Sequence, residues 1–218
     1  MNLFFIGDVH GCFHTLGTLL KHWNPATEHL VQLGDLVDRG TGIPETVALA
    51  RQLSDQHPAT TTFLMGNHEA EMLHHHSPQG PSSGWLQWGG RSTTEQYKPR
   101  PKLLAEHLLW LQQRPLLWQN DHVLASHAGI SAAPDALEPN SPNGLLWVRG
   151  PLQKLAKLQV VGHTPTADGQ ISHDAASNTL YIDTGAVYGH NLTGLRLSCA
   201  GEVLAEVSIP VDPRDLPA

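Results

Sequence analysis

Apolar and polar positions repeat one plan three times in the first third of the chain. A short β-type run leads into a glycine-containing turn that carries Asp, Asn or His, and a helical pattern follows. Residues 3–6 run into GDVHG and then the amphipathic stretch 13–23. Residues 30–33 run into GDLVDRG and then 44–56, and residues 61–64 run into GNHE. Strands alternating with helices predict an α/β sheet, in which polar groups collect at the carboxyl ends of the strands. All three polar clusters fall at such ends.

Residues 74–101 are polar and rich in Gly, Pro and Ser, a pattern of short helices and loops. Residues 102–112 read as a helix that stops before Pro115. Beyond it come short β runs at 116–119 and 122–125 around Asn120 and Asp121, then at 159–161, 171–173 and 179–182. Residues 192–198 and 202–209, joined through Ala200 and Gly201, predict a closing hairpin. The second half is therefore expected to be mostly antiparallel β. Two sheets packed face to face with helices outside would reconcile the halves, and a single mixed sheet fits the same pattern.

Composition narrows the class. With 218 residues, 40% of them hydrophobic and spread along the whole length, the expectation is one domain over 1–218 with one substantial core. A net charge of −7 without any long charged run argues against a nucleic-acid partner. The opening apolar run reaches Asp8 too soon for a signal core or membrane span, so no membrane partner is expected. Two cysteines, Cys12 and Cys199, outside any CxxC pair suit a reducing compartment, and a cytoplasmic location is expected. The oligomeric state is left open.

Fifteen histidines are many for this length, and the question is which of them stand where a metal could use them. In GDVHG, Asp8 and His10 lie two apart beyond a strand, so both side chains can face one ion. Helix capping by Asp8 is the ordinary alternative. GDLVDRG adds Asp35, Asp38 and Arg39, which put two acids and a guanidinium in one loop. GNHE adds Asn67, a hard neutral donor, and His68, free for proton transfer if it does not reach the same ion. SHAG and VGHTP place His127 and His163 after two further β runs. Each of these histidines alone is more simply a structural residue. Five strand ends each delivering a metal-type ligand beside glycine rarely coincide. The mixed oxygen and nitrogen set lacks thiolate, which fits Mn, Fe or Zn in a reactive site, and it suits two ions about 3.5–4 Å apart.

GDVHG, GDLVDRG, GNHE, SHAG and VGHT, in this order, resemble the motif series of the metallophosphoesterase superfamily and its PPP-type serine/threonine protein phosphatases. The whole chain, down to LYIDTGAVYG, looks like their small bacterial and phage members. The resemblance implies the αββα fold, two mixed β-sheets packed as a sandwich flanked by helices. It implies two divalent ions, manganese first and iron or zinc as alternatives, with an activated water between them. Asp8, His10 and Asp35 would hold one ion, and bridging Asp35 with Asn67, His127 and His163 the other. His68 would protonate the leaving alkoxide, oriented by Asp38. Arg39 and Arg149, the latter in LLWVRG, would bind phosphate oxygens.

The implied activity is phosphomonoester hydrolysis on phosphoserine or phosphothreonine proteins or small phosphoesters. Symmetrical bis(5'-nucleosyl)-tetraphosphatases resemble the chain through the same motifs, but they read GDLVARG and GNHD where this chain has Asp38 and Glu69. A catalytically silent metal-binding regulator is the third possibility. The run His74, His75 and His76 reads as a solvated helix end. Trp85 and Trp88 read as packing, and Tyr188 as core or a contact bordering the site.

Overall fold

A computed structural model describes residues 1–217. Ten strands and six helices follow the expected plan. β1 (Asn2–Ile6), β2 (Glu28–Gln32) and β3 (Thr61–Phe63) are joined through α1 (Phe13–Leu19) and α2 (Ile43–Gln56). α3 (Asn67–His75), α4 (Ser83–Trp85), α5 (Arg91–Tyr97) and α6 (Pro101–Leu111) fill the middle. β4 (Leu117–Gln119), β5 (Val123–Ser126), β6 (Leu158–Val161), β7 (Ser172–Asp174) and β8 (Thr179–Tyr181) come next, and β9 (Asn191–Leu197) with β10 (Val203–Pro210) closes the fold.

The strands form two five-stranded sheets, in the orders β10-β9-β1-β2-β3 and β4-β5-β6-β8-β7. Each has a parallel core, β1-β2-β3 in one and β5-β6-β8 in the other, with antiparallel strands outside it. The strands of the second half pair mostly antiparallel, as expected, but the centre of their sheet, β5-β6-β8, is parallel. The long connections β5 to β6 and β6 to β8 return each chain to the same end before the next strand begins, and this crossover makes the pairs parallel. The closing hairpin pairs with β1, so the end of the chain completes the first sheet.

Alternation along β1 explains the layering. Leu3 and Phe5 pack with Val123, Ala125, Val160 and Ile182 of the second sheet, forming the interior of the sandwich. Phe4 and Ile6 point the other way, into a core shared with Leu16, Val47, Met72 and Leu111 of the helices. β1 is therefore buried on both faces, as its unbroken apolar run requires. The helices lie on the outside of the first sheet. On the outer face of the second sheet, Val148 and Leu152 of the long β5–β6 connection cover Val161.

Among the described residues no helix is long and apolar enough to cross a membrane. Cys12 is buried and Cys199 exposed, and both are free thiols.

The end of the chain also anchors its beginning. No side chain caps α1 from its own N-terminus. Asp215, fully buried, accepts from the amides of His14 and Thr15 at 3.0 and 2.8 Å and from the Thr15 hydroxyl at 2.6 Å. A carboxylate at this position satisfies orphan amides and suits the positive end of the helix. Asp215→Ala is expected to lower the unfolding free energy by about 1–3 kcal/mol, measured by urea denaturation, because the buried donors lose their acceptor.

Candidate functional site

Parallel strands bring their carboxyl ends to one rim, and six of them meet there, three from each sheet. The turns after β1, β2, β3, β5 and β6 carry Asp8, Asp35, Asn67, His127 and His163. The turn after β8 carries Asp183. All six residues are buried, as are His10, Asp38 and His68. Asp8 is not the cap of α1, so the ordinary alternative for GDVHG does not apply.

Close contact of the loops sets the geometry. The amides of Val9 and His10 donate to the Asp35 carbonyl, and that of Gly11 to Leu36, so the first two motifs are bonded side by side. Gly34, at φ +95°, lies against Gly66, where an added Cβ would meet backbone at 2.6 Å. Only glycine lets these two loops approach. His10, Asp35, Asp38, Arg39 and His163 all have positive φ, and Asn178 is the sole other non-glycine that does among the described residues. Such strain, on the order of 1 kcal/mol or more per residue, concentrates at the rim. Glu69 offsets part of it, because its buried carboxylate accepts from the amides of Asp35, Leu36, Val37 and Gly66 at 2.7–3.1 Å.

The donor atoms converge on Asp35. Its Oδ2 lies 3.5 Å from His10 Nε2, 3.5 Å from His127 Nε2 and 3.9 Å from His68 Nε2. Two overlapping groups result, His10 with Asp35 and His68, and Asp8 with Asp35 and His127, the ligand atoms of each within 4.8 Å of one another. Asp35 belongs to both, as expected of a shared carboxylate. His10 falls with His68 in one group and Asp8 with His127 in the other.

Hydrogen bonds fix which nitrogens are free. His10 Nδ1 donates to the Val37 carbonyl and His127 Nδ1 to that of Leu33, both at 2.8 Å, which turns each Nε2 lone pair inward. His127 Nε2 then lies 2.9 Å from Asn67 Oδ1, and His163 Nδ1 lies 3.0 Å from that oxygen and 3.2 Å from His127 Nε2. One proton on His163 Nδ1 can serve only one of these contacts, so two acceptors always face each other. A cation is the partner such a triangle suits. Burial, aided by His127 and Arg149, pulls His163 down to about 3, and burial also lowers His10 and His127, so the charged form of each is disfavoured.

The acids carry the complementary charge. Burial, then Asp183 and Asp35, raises Asp8 well above the carboxylate range, while burial brings Asp183 up to about 6. Burial also opposes charge on Asp35, but the surrounding imidazoles outweigh it and hold it low. Of these, His68 is the one raised: burial works against its charge, and Asp35 and Asp38 overcome that. Several buried carboxylates this close destabilise one another unless cations lie among them. The residues present therefore fit divalent metal.

His68 Nδ1 lies 2.5 Å from Asp38 Oδ2, and Arg39 lies 3.0 Å from His68 Nε2 and contacts His10 Nε2. The amide of Ala128 donates to Leu145, which carries the following segment, with Trp147 and Arg149, to the same rim. Arg39, Arg149, Asn67, His68, Trp88, Trp147 and Tyr188 line a cavity of about 620 Å³. The guanidinium of Arg39 stands 5.4 Å from the Tyr188 ring, which is exposed at the mouth of the cavity and not part of the core. His74 and His76 are exposed and His75 half-buried at the end of α3, away from this rim.

Sequence pattern alone does not single out Asp183, Glu69 or the contacts of Trp85. LYIDTG repeats the strand, acid and glycine order of the first two motifs, and that order is the signal that marks Asp183. Nothing local marks Glu69 or Trp85, whose partners lie in other loops.

Residues 1–193 match the family described as calcineurin-like phosphoesterase. The chain is 32% identical over 211 residues to serine/threonine-protein phosphatase 1 of Salmonella typhimurium, covering 90% of this chain and 92% of that one. It is 34% identical over 137 residues to the symmetrical bis(5'-nucleosyl)-tetraphosphatase of Vibrio parahaemolyticus, covering 60% of this chain and 46% of that one. The chain thus spans about half the length of the tetraphosphatases it matches. A serine/threonine phosphatase structure from Saccharomyces cerevisiae superposes with a TM-score of 0.67 at 16% identity, over 97% of this chain and 80% of that one, a likeness of fold. Five motifs that meet at one rim, inside a match spanning 193 residues, lead to one conclusion: the chain belongs to the calcineurin-like phosphoesterases, hydrolases that use divalent metals.

Proposed function

We propose that this protein is a phosphomonoesterase acting on phosphoserine or phosphothreonine in proteins, or on small alkyl phosphoesters, with manganese as the first candidate metal and iron or zinc as alternatives. The observation that carries the reading is the 2.5 Å contact between His68 and buried Asp38. A serine or threonine leaves as an alkoxide, as poor a leaving group as hydroxide, whose conjugate acid has a pKa of about 16. A nucleotide leaves a tetraphosphate chain as a phosphate, whose second pKa is about 6. Only the first needs a built proton donor.

Asp8, His10, Asp35, Asn67, His127 and His163 would hold two divalent cations, which when bound would supply Lewis acidity and a nucleophilic water. Arg39 and Arg149, which both line the cavity, would grip the phosphoryl oxygens and align the ester. As the phosphorus–oxygen bond to the alcohol breaks, its electron pair passes to the leaving oxygen, which takes the proton from His68 Nε2. Asp38 keeps the ring turned for that transfer, and His68 regains its proton from solvent. The proton donor and its partner are in contact, which argues against a silent regulator. The match to the Salmonella phosphatase along nearly the whole of both chains supports the monoester reading.

Symmetrical cleavage of diadenosine tetraphosphate is the second reading, favoured by the several tetraphosphatases that match the same motifs. The manganese-loaded protein, given a phosphoserine peptide and diadenosine tetraphosphate, is expected to show the larger kcat/KM on the peptide. A large preference for the dinucleotide would overturn the ranking. His68→Asn should lower kcat on the peptide by about 10²–10⁴ in steady-state assays.

A further inference from the structure

Asp38 has no exposed surface, and every partner of its carboxylate is a hydrogen donor. Trp85 Nε1 donates to Oδ2 at 2.7 Å, the same oxygen that faces His68 Nδ1, and the Thr93 hydroxyl donates to Oδ1 at 2.5 Å. The Thr93 oxygen in turn accepts from the Asp38 amide at 3.1 Å. An indole can only donate. Oδ2 receives the indole hydrogen and Oδ1 the hydroxyl hydrogen, so both oxygens of the carboxylate act as acceptors. A hydrogen on His68 Nδ1 completes this arrangement, and Nε2 is then the nitrogen that exchanges protons with the cavity.

Trp85 and Thr93 belong to none of the metal-bearing loops. Both are fully buried, on the segment 83–97 that packs beneath GDLVDRG. The position of Trp85 is itself determined: its amide donates to the Ser82 hydroxyl at 3.2 Å, and its ring lies 4.7 Å from that of His75. Gly89, at φ +136°, leaves room for Asp38 and Arg39, since an added Cβ would meet Arg39 Cγ at 2.7 Å and Asp38 Cβ at 3.2 Å. Ordinary core packing asks only for an apolar ring at position 85. The indole hydrogen aimed at a buried carboxylate asks for more.

We propose that Trp85 and Thr93 are positioning residues for the proton donor: they fix the plane of the Asp38 carboxylate and, through it, the tautomer and direction of the His68 ring. The helical segment 83–97 then forms one unit with the acid and, through Gly89 and the Trp88 carbonyl that accepts from Arg39 Nε at 3.3 Å, with one phosphate-binding arginine. The consequence is selective for leaving groups. Loss of either donor weakens proton delivery, which an alkyl ester needs and an aryl ester with an acidic phenol needs far less.

This inference rests on His68 acting as the acid, and the test separates the two. Rates on phosphoserine and on p-nitrophenyl phosphate are measured for the manganese-loaded parent, Trp85→Phe, Thr93→Val, Thr93→Ser and His68→Asn, with thermal midpoints for each. Trp85→Phe and Thr93→Val are expected to lower the alkyl-to-aryl ratio of kcat by about 10- to 100-fold, since small misplacements of a reacting group cost this much. Thr93→Ser, which keeps the hydroxyl, should restore the ratio. If His68→Asn lowers both rates equally, the acid reading itself fails. If His68→Asn is selective while Trp85→Phe and Thr93→Val lower both rates in proportion, or act only on the thermal midpoint, the positioning role is overturned and the acid reading stands.

Discussion

Electrostatic crowding at the rim is the constraint on which the rest of this structure depends. Asp8, Asp35 and Asp183 are buried within one small volume, with the neutral nitrogens of His10, His127 and His163 turned inward among them. Removing a carboxylate from water costs several kcal/mol, and a second like charge nearby adds to that. His68 and Arg39 are the positive partners on the side of Asp35 nearer His10, and Arg149 acts on His127 and His163. On the other side, Asn67, His127 and His163 bring more acceptors together than one imidazole proton can serve. Divalent cations would suit this distribution, since Asp35 stands in both candidate ligand groups.

The fold supplies the means to hold such a cluster together. Two parallel strand triplets, back to back, deliver six turns to one edge, and each turn need hold only one or two ligands. Left-handed backbone at His10, Asp35, Asp38, Arg39 and His163 aims these side chains where ordinary turns would not. Glu69 and the Gly34–Gly66 approach lock the strained loops to one another. The apolar sandwich beneath, with Phe5, Val31, Val160 and Ile182 almost fully excluded from water, provides the cohesion against which that strain is held.

What the sequence makes legible is what is local. A β run, a glycine and an acid lie within a few residues, so the strand ends and ligands such as Asp35 and His127 can be read from the chain itself. The two-sheet arrangement is legible only as one of two options, because strand direction in the second sheet depends on how the long connection before β6 returns. Asp183 escapes that reading although its LYIDTG setting follows the same rule. Trp85 reads as packing because its decisive contact, with Asp38, spans 47 residues of chain. No periodicity records a hydrogen bond of that kind. Arg149 rests on a short motif in the sequence, and the structure brings it to the cavity that Arg39 also lines.

The relatives' names differ in what is cleaved, so the metal cluster and the substrate are separate questions. Crystals of the protein soaked in manganese, with anomalous differences collected at the manganese edge and metal content measured in solution, address the first. Two ions per chain are expected at the rim with Asp35 between them, and both should be lost in Asp35→Asn. A single ion, or ions away from Asp8, His10, Asn67, His127 and His163, would contradict this assignment.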